Sequence, residues 1–292
     1  MNRKLGVRWT IGDVSPRGFE ALRLSLFGAL KVFGPEAAYV VYVNSMPVDR
    51  ARERTGPSPG RVQWRAAPRE MAPALRGVVD AGMAQGVAWK LSPLRAFPER
   101  YELALDNDVI LWDLPEGMAC WLSGGPDERL LAEDVVAAHG AFAELCGREP
   151  RNSGIRGVPP GFSLAEAFRR VLEAVPAPLT SELDEQGLQV AALSLDGAPR
   201  VVSTADVAIC SPFWPHQWDL GRCGAHFVGL NARDLPWRYY DRPATEVRIE
   251  HWEHHRAELY RRVGLSPDPG RNRLPSTHSS SAWAAGAPSG GT

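Results

Sequence analysis

Long apolar runs are missing from this chain. None reaches the ~18 residues that a membrane-spanning helix needs, so no integral membrane segment is expected. Cysteine is scarce. The four thiols, Cys120, Cys146, Cys210 and Cys223, form no C-x-x-C pair, the half-site of the common structural zinc motifs. That excludes a structural zinc site and fits free thiols in a reducing compartment. An excess of either charge is missing as well: the formal net charge is −1, too small for an overall basic field that would hold a nucleic-acid backbone, and no nucleic-acid partner is expected. The opening MNRKLGVRWTIGDVS is basic but leads into no signal-type apolar core, which points to a cytoplasmic location. Also missing are the G-x-S-x-G elbow, the P-loop lysine motif and the G-x-G-x-x-G fingerprint, and several common enzyme classes go with them.

What is present is enough for a substantial core. The chain has 292 residues, 44% of them hydrophobic and 23% charged. LGVRWTIGDV reads as a first strand ending at Gly12-Asp13. SPRGFEALRLSLFGALKVFG then carries a helix signal: Ser15 as cap, Pro16 in the first turn, and Phe19, Leu22, Leu26, Leu30 and Phe33 at helical spacing. AAYVVYVN is a near-continuous apolar strand. Strand, helix, strand makes a βαβ unit and predicts an α/β fold with a mostly parallel central sheet flanked by helices. RARERTGPSPGRVQW reads as a charged loop, PALRGVVDAGMAQGVAWKLSPLRAF as mostly helical, YELALDNDVIL as a strand and GMACWLSG as a further strand. ERLLAEDVVAAHGAFAELCG is expected to be a helix, RNSGIRGVPPGF a loop, and SLAEAFRRVLEAV, TSELDEQGLQVAALSL and TEVRIEHWEHHRAELYRRVG helices. PRVVSTADVAICSP reads as a strand and its edge. Residues 1–264 form one domain, with a nucleotide-binding half (1–112) and an acceptor half (113–264). The Ser/Gly/Pro/Ala-rich residues 265–292 are expected to be disordered.

The segment LALDNDVIL poses the functional question. Residues at i and i+2 of an extended segment share a side, so Asp106 and Asp108 can face one cation at the carboxyl end of a strand, where open α/β sheets place their ligands. Hard oxygen ligands suit Mg2+ or Mn2+. The triplet alone is a weak signal, because surface loops produce it constantly.

The order of motifs adds to it. After LALDNDVILWDLPE come RNSGIRG, ELDEQGL and GAHFVGLNARDLPW. This succession resembles the metal-dependent nucleotide-sugar glycosyltransferases of the GT-A fold, and is most similar to the glycogenin and lipopolysaccharide-galactosyltransferase group. That group runs from an apolar strand into D-x-D, then N-(S/A)-G, D-Q, and H-F-x-G leading to P-W. WTIGDVSPRGFEALRLSL is similar to its first strand and helix, and the resemblance covers roughly residues 7–240.

The resemblance implies roles. Asp106, Asp108 and a third ligand, His226 on a late loop, would hold Mn2+ or Mg2+ against the diphosphate of a UDP-sugar. Thr10, Ile11 and Asp13 would meet the nucleoside, and Lys90, with Arg95 as second candidate, the phosphates or ribose. Asn107 belongs to the same donor site, and Gly229 would let the backbone approach the diphosphate. Asn152 and Gln186 would stand near the reaction centre, with Glu185 or Asp184 on sugar hydroxyls. Two departures from the pattern stand out. Where the group has a lysine before P-W, this chain has Arg233 in a longer stretch, and where it has D-Q, this chain has Glu185-Gln186 preceded by Asp184. The acceptor, a saccharide or other hydroxyl compound, would stack on the aromatics of CSPFWPHQWDLGRCG: Phe213, Trp214, His216 and Trp218. Retention of anomeric configuration is implied. Each of these residues also has a structural reading: core packing for Ile11 and the aromatics, turn chemistry for Asn152 and Gly229, helix-start acids for Asp184 and Glu185. Two other functions stay open at this point, a sugar-1-phosphate nucleotidyltransferase and a degenerate transferase domain that only binds partners.

Overall fold

The computed structural model describes residues 3–79 and 90–267. Most of the expected tail, residues 268–292, lies outside them, as does the middle of the helical stretch expected between residues 73 and 97.

Strand β1 (Leu5–Ile11), helix α1 (Pro16–Phe33) and strand β2 (Ala38–Val43) form the expected βαβ unit, with β1 and β2 parallel and in register from Gly6↔Ala38 to Ile11↔Val43. The Ser15 hydroxyl caps α1 by accepting from Gly18 N, and the helix closes at Gly34. Helix α2 (Val48–Thr55) and strand β3 (Val62–Ala66) follow where a charged loop was expected. Their charges sit on exposed positions while Ala51, Thr55 and Val62 turn inward, so polarity concealed two short elements.

A 3-10 turn at Pro73–Leu75 replaces the start of the expected long helix. Then come β4 (Tyr101–Leu105), β5 (Val109–Leu111), α3 (Glu116–Ser123), β6 (Leu130–Glu133), the four-residue α4 (Ala143–Cys146) and β7 (Arg151–Val158). Three expectations fail here. GMACWLSG is helical, with Met118 and Trp121 one turn apart on the buried face. The expected helix over 128–147 begins as strand β6. Leu130 and Leu131 are fully buried on opposite faces, and a short apolar run of that kind does not distinguish strand from buried helix. RNSGIRGV, expected as a loop, is a strand inside the sheet, where pairing with both β4 and β6 outweighs its glycines.

The remainder is α5 (Leu164–Ala174), α6 (Glu182–Ser194), β8 (Arg200–Val202), β9 (Val207–Cys210), β10 (Gly224–Phe227), the two-residue strands β11 (Arg238–Tyr239) and β12 (Arg242–Pro243), and α7 (Ala244–Arg262). The main sheet has the order β3-β2-β1-β4-β7-β6-β8; β7 alone runs against its neighbours. A second sheet, β5-β10-β9, packs between α1 and α7 around Ile110, Ala225, Phe227, Trp252 and Leu259.

Helix α7 is fastened to α1 by one carboxylate. Glu20 accepts hydrogen bonds from Trp252 Nε1 (3.1 Å), Arg256 Nε (2.8 Å) and the Tyr260 hydroxyl (2.6 Å). Trp252 is fully buried. Replacing Trp252 with Ala should cost about 3–5 kcal/mol, the range for emptying a large aromatic site, and chemical denaturation should show the loss.

Candidate active site

Four elements converge on one cavity of about 430 Å3: the turn between β4 and β5, the start of β7, the start of α6, and β10 with its following loop. The cavity lies at the carboxyl end of β4, the usual ligand position of an open α/β sheet.

Asp106 and Asp108 do not share a side through extended backbone. Strand β4 ends at Leu105, and Asp106-Asn107-Asp108 is a turn in which Val109 N donates to Asp106 O (3.1 Å). The turn is pinned from both sides: Asp106 N donates to Gly154 O (2.8 Å), and Phe227 N donates to Asp108 O (3.0 Å). His226 is on strand β10, not on a loop, opposite Val109 in antiparallel register. Its Nε2 lies 3.5 Å from Asp108 Oδ1 and 4.0 Å from Asp106 Oδ2. One ligand atom from each of the three residues lies within 4.8 Å of the others.

Two observations test whether these residues suit a metal ion. Asp108 Oδ1, on the side facing His226 Nε2, is buried without a hydrogen-bond partner, a costly state that a cation would relieve. The other oxygen, Asp108 Oδ2, is held by Asn231 Nδ2 at 3.0 Å, which orients the carboxylate as outer partners orient metal ligands. Two carboxylates and an imidazole fit Mn2+ or Mg2+, and the imidazole leans toward Mn2+.

Lys90 Nζ donates to Asp106 Oδ2 at 2.7 Å and lies 3.9 Å from Glu185 Oε2. Burial works to lower the lysine pKa, but the two carboxylates outweigh it and the net shift is upward, so Lys90 stays charged. Asp106 is pushed up by burial and pulled down further by Lys90 and His226, so it stays a carboxylate. Burial raises the pKa of Glu185, against the pull of Lys90. Beneath them Arg8, brought down to about 10 by burial against the charge of Glu102, and Arg156 both donate to the Lys90 carbonyl. They hold its segment over the sheet.

His226 shows the opposite balance to an ordinary buried histidine. Burial favours the neutral ring, yet the carboxylate of Asp108, 3.5 Å from Nε2, and the charge of Asp106 raise its pKa. A raised histidine pKa contributes stability that is fully present below the unfolded value of about 6.5 and is lost as pH rises through the folded value. A metal ion needs the deprotonated ring and competes with that proton. Metal affinity should therefore climb as pH rises from about 6.5 through that raised value, while the metal-free protein loses stability over the same window. Thermal melts across pH with Mn2+ and with EDTA measure both.

Of the other expected site residues, Asn152, Glu185, Gln186 and Gly229 line the cavity. Asn152 Nδ2 donates to Asp134 Oδ2 (2.8 Å) while its Oδ1 accepts from Gly154 N (2.7 Å). Gln186 bridges Ser153 N and Ala138 O. Gly229 has φ +78°, in the region that favours glycine. Thr10 and Ile11 end β1, with Ile11 in the main core. Asp13 is exposed and paired with Arg54 and with Arg233 (2.6 Å), so Arg233 points at Asp13 and is not among the cavity residues.

Some expected residues serve the scaffold. Asn107 faces Gly18 O (3.1 Å) and forms a reciprocal amide pair with Asn231. Asp184 is the third residue of a capping box at the start of α6 and also accepts from Ala141 N and Thr180 N. Arg95 ties Glu102 to the carbonyls of Phe97, Arg100, Pro159 and Phe162. Phe213 and His216 line the cavity, as does Trp237, which touches Phe213 edge to face at 4.5 Å. Trp214 is 87% exposed outside the lining, and Trp218 packs on His251 with its carbonyl accepting from His251 and His255 of α7. Sequence reasoning missed Asp134, Ser153, Asn231, Trp237 and Arg248.

No protein-family model matches this sequence, and no curated protein matches it. Solved structures do match the fold. The galactosyltransferase LgtC, crystallised with donor and acceptor sugar analogs, superposes over 90% of this chain and 96% of its own, with a TM-score of 0.50 and 12% identity. Mouse xyloside xylosyltransferase 1 in its apo form matches over 78% of this chain and 98% of its own, with a TM-score of 0.50 and 11% identity. No helix among the described residues is long and apolar enough to cross a membrane. The chain has the GT-A fold, the α/β architecture of the glycosyltransferases to which it is similar.

Proposed function

We propose that this protein is a metal-dependent glycosyltransferase that moves a hexose from a UDP-sugar to a hydroxyl acceptor, with retention of configuration. The observation that carries the reading is the Asp106, Asp108 and His226 group, with the buried and unpartnered Asp108 Oδ1, in the cavity of a GT-A fold. These three residues would hold Mn2+ or Mg2+ beside the donor diphosphate. When bound, the ion neutralises charge that builds on the departing diphosphate as the glycosidic bond breaks.

The chain's own residues do the rest. Lys90 holds Asp106 ionised and turned to the cavity. Thr10, Ile11 and Asp13 would form the nucleoside end, with Arg233, paired to Asp13, as a base beside it. Asn107 supports the donor site by fixing the aspartate turn, and Asp184 does so by fixing the start of α6. Asn152, Glu185 and Gln186 face the sugar, whose transition state carries positive character at the anomeric carbon, as in glycoside hydrolysis. Gly229 leaves room for the diphosphate. A saccharide acceptor suits the aromatic mouth, with Phe213, His216 and Trp237 inside and Trp214 and Trp218 beyond, because aromatic rings present flat apolar faces to sugars. The intact metal group speaks against a degenerate binding module.

The test is release of nucleoside diphosphate from a panel of UDP-hexoses, with Mn2+ or EDTA and with simple saccharides as acceptors. The reading expects metal-dependent release from at least one donor. No release from any nucleotide sugar, with any divalent metal, contradicts it.

A further inference from the structure

The cavity lining carries five carboxylates, with only Lys90 and Arg248 as permanent cations. Lys90 is engaged by Asp106 and Glu185. Arg248 is different. It is 5% exposed, and among the described residues it has no carboxylate within ion-pair distance. Its guanidinium donates to two backbone carbonyls, Gly229 O at 2.5 Å and Arg233 O at 3.2 Å, and its Nε is buried with no partner. It projects from the first turns of α7, which Trp252 and the Glu20 clasp fix in place one turn later. Burial and the charge of Arg17 disfavour the guanidinium, with only the more distant Asp234 in its favour, and an anion arriving in the cavity would offset that cost. Arg233, the base expected for this task, is instead paired with Asp13.

We infer that Arg248 is the cation that grips the diphosphate of the nucleotide, from beneath the loop that follows His226. The inference rests on the glycosyltransferase reading. The guanidinium already spans the carbonyls of Gly229 and Arg233, so the loop and the charge arrive together, and donors not used by those carbonyls remain for phosphate oxygens. The phosphate charge would be shared between the metal group on one wall and Arg248 on the other. This assigns phosphate recognition to a helix that the sequence presents as a run of solvated charge.

A merely structural role would be to brace the loop, and the test separates the two. Calorimetric titrations of uridine, UMP and UDP, each with Mn2+, are compared for the wild type, Arg248→Met and Arg248→Gln. The glutamine variant keeps a polar N–H donor on a shorter side chain while removing the charge. The expected result is a loss of UDP affinity of about 10–100-fold in both variants, a smaller loss for UMP and none for uridine, on the scale of a buried charge-assisted contact. Thermal melts establish that the variants fold, and if Arg248→Met does not, Arg248→Gln alone decides. Equal losses for all three ligands, or no loss for UDP, overturn the inference while leaving the metal-dependent transferase standing. Absence of metal-dependent UDP binding in the wild type overturns both.

Discussion

Asp106→Asn combined with Asp108→Asn should remove metal-dependent UDP binding and turnover, with a loss beyond the 10–100-fold that losing even an outer-shell partner costs a metal site. Both carboxylates are held by protein contacts: Asp106 by Lys90, and Asp108 by Asn231. Asparagine keeps the size and accepts similar hydrogen bonds, so the variant should fold. Its amide carries no charge to bind a hard cation or to hold His226 protonated, so the raised histidine pKa should also fall back. Titration of Mn2+ followed by UDP, with a pH series on the metal-free protein, reads both effects. Unchanged metal-dependent UDP affinity would remove the group from the donor site.

Gly154→Ala should disable the same site without touching a ligand. A Cβ at Gly154 would lie 2.4 Å from His226 Cε1 and 2.8 Å from its Nδ1, closer than real contacts allow, and 2.8 Å from Asn152 Oδ1. Gly154 O also receives the Asp106 amide. The imidazole must move, or β7 must, and either parts the ring from the two aspartates. Metal affinity should drop about 10–100-fold, on the scale of a displaced outer-shell partner. The overpacking itself should cost about 1–3 kcal/mol. A variant as stable as the wild type that binds Mn2+ equally well would mean that the ring position is immaterial. The β-sheet explains how Gly154 comes to sit there: the β6–β7 register jumps from Leu131↔Arg156 to Ala132↔Asn152, and the irregularity opposite Ser153–Ile155 carries the segment toward the cavity.

The first βαβ unit could be read directly, because Ser15, Pro16 and the spacing of Phe19, Leu22 and Leu26 act locally. The order of D-N-D, N-S-G, E-Q and H-F-V-G pointed to one site, and nine of those residues line the cavity: Asp106, Asp108, Asn152, Ser153, Glu185, Gln186, His226, Val228 and Gly229. Local signals were silent where tertiary pairing decides. Strand β6 and strand β7 gain their identity from each other, so Asp134 at the end of β6 went unnoticed although it holds Asn152. Asn107 and Asp184 have the chemistry of ligands, but their oxygens and amides are turned to backbone and to Asn231. Arg248 lies among Glu246, Glu250 and Glu253 along α7 and reads as surface charge. Only the packing of that helix shows it buried.

The most direct test of the account is calorimetric titration of UDP into the purified protein, once with Mn2+ and once with EDTA. Binding that appears with Mn2+ and vanishes with EDTA is the predicted result. Equal UDP binding in both, or none in either when other nucleoside diphosphates also fail to bind, would contradict the assignment of Asp106, Asp108 and His226 as the metal group of a nucleotide-sugar site.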